Sequence, residues 1–236
     1  MEAGMSILIV VAHPDDEVLG CGGTAAALTG SRIEVRTCIL SAFAEVRQHR
    51  PEVDELLADI RKAQAILGIK DPILGNFPNI QFNSVPHLDL VQFIENAILK
   101  TGAEFIFTHH PQDLNNDHTQ ASLACQAASR LFQRRAGIPR LRGLYFMEVL
   151  SSTDWAFPGR GNGFQEDTFF EIGEVLLERK LQSLRCYRNV MRDFPHPRSV
   201  EVVRGLAAYR GGQGGMKYAE AFQAAFHAPN ATEFGS

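Results

Sequence analysis

Little in this chain points toward a polyanion or a bilayer. Lysine and arginine number 23 against 27 aspartates and glutamates, a net charge of −4. No basic stripe or block of like charge appears, which excludes the electrostatic footprint of nucleic-acid and anionic-surface binders. No stretch approaches the roughly 18 apolar residues that a membrane helix needs, so no stable membrane insertion is expected. The N-terminus lacks a basic segment, and SILIVVA (6–12) is too short for a secretory signal core, so the default expectation is cytoplasmic. Cysteine is scarce. Cys21, Cys38, Cys125 and Cys186 form no CxxC pair, which excludes a zinc knuckle and a dithiol redox motif. Internal repeats and proline-, glycine- or serine-rich linkers are also missing, so nothing marks a domain boundary.

What is present fits one α/β domain. The 236 residues are enough for a sizeable core. Residues 1–232 are read as that single domain, and 233–236 (EFGS) are set aside because they carry no core pattern. SILIVVA is a near-continuous β-branched run, the signature of a strand buried on both faces. Residues 17–30 then take helical spacing, with Gly30 as the stop. Strand patterns follow at 32–40, 71–77, 103–110 and 141–150. Helical patterns fall between them at 50–69, 87–102 and 117–137, with Pro51 suited to a first turn. This alternation predicts βαβ units: a Rossmann-like, mostly parallel sheet with helices on both faces. From about residue 151 the pattern loosens into an elaborated C-terminal third. It holds a loop at 155–164, an edge strand at 167–172, helices at 173–191 and 197–209, and a glycine-rich stretch at 211–222.

Chemistry concentrates at two strand ends. AHPDDE (12–17) follows the first strand, and THHPQDLNNDH (108–118) closes the strand that begins at residue 103. Ligands of open parallel sheets bind outside the carboxyl ends of strands. His13, Asp16 and His118 would supply two imidazoles and one carboxylate to a divalent ion, three protein ligands being the catalytic zinc pattern. Such an ion would also offset the repulsion among Asp15, Asp16 and Glu17. Asp15 is then free to act as general base, and Glu17 opens a helix where its charge suits the dipole. Blander readings compete. The acids alone would serve as an N-cap and first-turn charges. GCGGT (20–24) resembles a phosphate cradle, but without GxGxxG spacing. His109 alone reads as structural, and Asp113, Asn115 and Asn116 as turn formers.

With AHPDDE, LGCGGT (19–24), THHPQDLNNDH, HPRS (196–199) and KYAEAF (217–222), the chain resembles the PIG-L/LmbE-like family of zinc-dependent N-acetylglucosaminyl deacetylases. The resemblance implies a metal-dependent hydrolase, with Zn2+ or another divalent cation, that removes an N-acetyl group from an amino-sugar or glycoconjugate. It implies His13, Asp16 and His118 as ligands, Asp15 as base, and Asp117 as a group orienting a neighbouring side chain. Many members carry histidine where this chain has Asn115, so the oxyanion donor lies among Asn115, His110 and His196. Arg47, Arg50, Trp155, Phe157 and Arg160 fall in loops suited to substrate contact. The alternatives are an amidase acting on another amide, a nucleotide-binding module using GCGGT, and a metal-binding protein without turnover. Self-association into a homo-oligomer stays open.

Overall fold

In the computed structural model, residues 5–42, 52–157 and 163–229 are described. The expected strands and helices form in order: β1 (Ser6–Val11), α1 (Asp16–Gly30), β2 (Glu34–Ile39), α2 (Val53–Leu67), β3 (Ile73–Leu74), α3 (His87–Thr101), β4 (Phe105–His109), α4 (Asn116–Ala128), the short α5 (Leu131–Arg134) and β5 (Gly143–Met147). They are followed by β6 (Thr168–Glu171), α6 (Gly173–Leu184), α7 (Val200–Gly214) and β7 (Ala219–His227). The strands make one seven-stranded sheet in the order β3-β2-β1-β4-β5-β7-β6. Its first five strands in sequence are parallel, and the β5–β7 and β6–β7 pairs are antiparallel.

The apolar run of β1 explains its central place. Ile7, Ile9 and Val11 face a core built with α1, α2, α6 and α7, whereas Leu8 and Val10 face a second core with α3 and α4. Both faces being covered, no polar residue interrupts the strand. Among the described residues no helix is long and apolar enough to cross a membrane.

Several elements differ from the sequence expectation. The helix expected over 117–137 stops at Ala128, where the Ser129 hydroxyl turns back to the Gln126 carbonyl at 2.7 Å, an alternative to the helical ladder. The glycine-rich stretch at 211–222, to which the sequence pattern assigns no element, divides between two: α7 continues through Gly214, and β7 then inserts between β5 and β6. Pro51, suited by sequence to a first helical turn, lies outside the described residues; at the start of α2 Glu52 and Glu55 form a capping box.

A further difference is in α1, which kinks at Cys21 (φ −148°, ψ 25°). Beyond the kink a second helical start exposes the amides of Gly23 and Thr24. Both donate to the Glu220 carboxylate, at 3.0 and 2.7 Å. The Lys180 ammonium donates to the same carboxylate at 2.6 Å and to the Leu19 carbonyl at 2.8 Å. A carboxylate at a helix start occupies the place where a phosphate would bind. GCGGT is therefore no nucleotide cradle. Its glycines permit close packing: a Cβ on Gly20 would stand 2.9 Å from the Met147 sulfur, and one on Gly23 2.9 Å from Ile172.

Candidate metal centre and active site

β1 and β4 are neighbours at the point where the chain, having built β2 and β3 on one side, crosses to build β4 and β5 on the other. Loops leaving such strands diverge and open a crevice. Val10 is paired with Thr108, so the two histidine- and aspartate-bearing turns emerge side by side.

Asp16 stands at the centre. Its Oδ2 accepts the His13 amide at 2.9 Å and lies 3.4 Å from His13 Nδ1 and 3.2 Å from His118 Nε2. His13, Asp16 and His118 each offer a ligand atom within 4.8 Å of the others, and all are buried. The second nitrogen of each ring is held from behind. His13 Nε2 lies 3.0 Å from Asp117 Oδ2, and His118 Nδ1 lies 3.2 Å from Asp113 Oδ2. Such carboxylate–histidine pairs fix ring orientation and raise ligand basicity. Asp117 also accepts the amides of Ile80 and Phe82, at 2.5 and 3.0 Å. Asp113 is fixed by the Thr153 hydroxyl at 2.8 Å. This donor chemistry fits a divalent ion of the zinc type.

Electrostatics point the same way. Burial works against the charged form of His118, yet Asp16 and Asp113 outweigh it and raise its pKa to about 10. Burial also opposes ionised Asp16, but His118 and His13 hold its carboxyl well below the usual range. The pocket demands positive charge at this point. A second trio, His109, Asp113 and His118, meets the same distance limit. However, neither His109 nor Asp113 lines the cavity. His109 Nε2 already accepts the Ala12 amide at 2.9 Å, and burial, then the His118 charge, lowers its pKa to about 3.

Asp15 sits at the start of α1 with φ 99°, a conformation rare outside glycine. Its amide donates to Glu17 Oε2 at 3.1 Å, and the other oxygen of Glu17 meets the Tyr187 hydroxyl. Glu17, expected at a helix mouth, is fully buried; burial is the main cause of a pKa raised to about 7. Arg198 donates to Asp15 Oδ2 at 3.2 Å and to the Ser151 hydroxyl at 2.7 Å. Asn115 caps α4, its Oδ1 accepting the Asp117 amide at 2.9 Å. Among the described residues its side-chain nitrogen has no partner.

His13, Asp15, Asp16, Asn115, His118, Trp155 and His196 line one cavity of about 530 Å³. His110 is absent from it. Successive side chains leave a strand on opposite faces, and His110 packs against the rings of Phe146 and Phe164 instead. Phe157 is 72% exposed and does not line the cavity. Arg47, Arg50 and Arg160 lie outside the described residues. In sequence Asp113 looks like a turn former, and nothing local marks Tyr187, Arg188 or Arg192 as cavity-lining. Only Arg198 carried a signal, within HPRS.

A sequence model of the GlcNAc-PI de-N-acetylase family, PIG-L, matches residues 8–129, which contain both strand-end motifs. Over 54 residues the chain is 46% identical to a 1D-myo-inositol 2-acetamido-2-deoxy-alpha-D-glucopyranoside deacetylase of Salinispora arenicola (strain CNS-205); the match spans 22% of this chain and 17% of that protein. Among solved structures, the N,N'-diacetylchitobiose deacetylase of Pyrococcus horikoshii superposes with TM-score 0.76 at 16% identity, over 98% of this chain and 90% of its own. The 4-carboxy-2-hydroxymuconate hydratase GalB of Pseudomonas putida KT2440 does so with TM-score 0.74 at 20% identity, over 96% and 98%. At such identities the likeness is one of fold, and one fold hosting a deacetylase and a hydratase leaves the chemistry to be argued from the site.

Proposed function

The chain belongs to the GlcNAc-PI de-N-acetylase family, and from that premise we propose that it hydrolyses the N-acetyl group of an amino-sugar-containing substrate, releasing acetate and a free amine. The observation that carries this reading is the convergence of His13, Asp16 and His118 on one cavity wall beside Asp15. When bound there, a divalent ion such as Zn2+ supplies Lewis-acid chemistry, acidifying water and polarising a carbonyl. Asp15 takes the proton of the attacking water. Arg198 and the Glu17 contact to the Asp15 amide hold that carboxylate in its left-handed pose. Asn115 aims its free amide N–H at the oxygen where negative charge develops. Protonated Asp15, or His196 across the cavity, returns a proton to the departing nitrogen as the C–N bond breaks, which makes the amine a competent leaving group.

Acetate release from N-acetylglucosamine derivatives, with and without a chelator, tests the reading. Release that a chelator abolishes and added zinc restores is the expected result. Release indifferent to chelation would remove the metal from the mechanism, and no release from any such sugar would sink the reading itself.

Asn115 has two separable duties in this reading, because Oδ1 caps the helix while the amide nitrogen has no partner among the described residues and the residue lines the cavity. Asn115→Ala is expected to lower kcat by roughly 100-fold or more, as for other lost oxyanion donors, with KM nearly unchanged. It should also cost about 1 kcal/mol of stability for the cap. Asn115→Asp keeps the cap oxygen and loses the donor, so it should retain the melting temperature and still lose kcat. An unaltered kcat in the alanine variant would leave Asn115 as a cap alone and move the donor role to His196.

A further inference from the structure

The segment joining α6 to α7 forms the cavity wall that carries the cationic groups. Arg188, Asn189, Arg192, His196 and Arg198 all line the same cavity as the candidate metal ligands. Asn189 takes φ 62°, a left-handed turn that lets neighbouring residues of one short segment face one space. The Arg192 amide donates to the Arg198 carbonyl at 3.2 Å, which fixes the two arginines side by side.

The guanidinium groups are not equivalent. Arg198 is committed to Asp15 at 3.2 Å. Arg188 is committed to Glu55, and its Nε lies 3.5 Å from Asp59. Among the described residues Arg192 has no carboxylate within ion-pair distance. Its field is nevertheless felt in the cavity: burial, then Arg198, then Arg192 lower the pKa of His196, with Asp154 opposing. The His196 ring in turn meets Trp155 edge-on, with centroids 5.9 Å apart. An uncommitted guanidinium in a cavity that Trp155 also lines suits a substrate that carries both negative charge and a ring.

We propose that Arg192 is the anchor of a subsite for an anionic group, a carboxylate or a phosphate, on the part of the substrate remote from the acetamide. This rests on the deacetylase reading and narrows it: among N-acetylated amino-sugars, those bearing an anionic aglycone are preferred. One cavity of about 530 Å³ spans both ends, a volume within the range that encloses a small conjugate. A single substrate therefore reaches the metal ligands with its acetamide and Arg192 with its charge.

Three probes separate the possibilities: the methyl glycoside of N-acetylglucosamine (neutral), its carboxymethyl glycoside, and N-acetylglucosamine 1-phosphate. The wild-type chain should show the lower KM on the charged probes, an advantage that shrinks in high salt as the charges are screened. Arg192 is exposed, so Arg192→Gln leaves the core intact. That variant should raise KM for the charged probes by about tenfold, the scale of one partly screened charge-assisted hydrogen bond, with kcat and the neutral probe within about twofold. Whichever charged probe responds more identifies carboxylate or phosphate. Equal KM on all three probes in the wild type, or an equal effect of Arg192→Gln on all three, overturns the subsite while leaving the deacetylase reading standing. Absence of acetate release from every probe overturns both.

Discussion

Asp15→Asn is expected to keep its metal and lose turnover. Proton transfer by a positioned carboxylate contributes on the order of 100- to 10,000-fold, and an amide cannot accept the proton, so kcat should fall within that range. The substitution is well matched to the backbone. Asparagine tolerates a positive φ about as well as aspartate, so the φ 99° conformation survives, and its amide oxygen still accepts from Arg198. Asp16→Asn is the internal control. Asp16 Oδ2 is the atom shared by His13 and His118, and its loss should empty the site. Metal content and kcat measured on both variants decide the assignment: if Asp15→Asn loses metal and Asp16→Asn retains it, the two roles are reversed.

His118→Ala should release most of the metal, because two remaining ligands hold zinc poorly. The purified wild type is expected to carry close to one equivalent by elemental analysis, and the variant a small fraction of it. Stability should fall as well, since Asp16 and Asp113 lose the group that faces both of them and remain buried. Breaking a buried pair from one side costs about 3–5 kcal/mol. Asp113→Asn separates the two effects. It leaves the imidazole in place but weakens its support, and should cost about 10–100-fold in metal affinity. Full metal retention in His118→Ala would remove that histidine from the centre.

The candidate ligands stand out in the sequence because the two motifs that carry them, AHPDDE and THHPQDLNNDH, each follow an apolar run whose burial is unambiguous. A strand with no polar interruption, such as β1, must be central, and a central strand's carboxyl end in a parallel sheet is where ligands collect. The spacing from His13 to Asp16 is local, so a single turn suffices. The supporting residues are another matter. Asp113 is secured by Thr153 and Asp15 by Arg198, contacts that span 40 and 183 residues, and no local pattern encodes such a pairing. β7 was missed because AEAFQAAFH is dominated by alanine, a poor strand former. It is extended because β5 and β6 flank it on both edges. Trp155 and His196 do line the cavity, but Arg188 and Arg192 lie on a segment with no periodicity to announce which way it faces.

The kink at Cys21 has a temporal meaning. Synthesis proceeds from the N-terminus, and the turn holding His13, Asp15 and Asp16, at the head of α1, leaves the ribosome before the elements that follow it. Yet the two amides that the kink exposes in that same helix are satisfied by a carboxylate 197 and 196 residues later. Until Glu220 is made and β7 enters the sheet, the second half of α1 lacks its cap, and Lys180 lacks its counterion. The helix headed by the His13–Asp16 turn is thus completed by β7, the last of the described elements in chain order. A nascent chain holds the candidate ligand motifs before it holds the β7 carboxylate that completes α1, which ties the final setting of the candidate centre to the closing of the sheet.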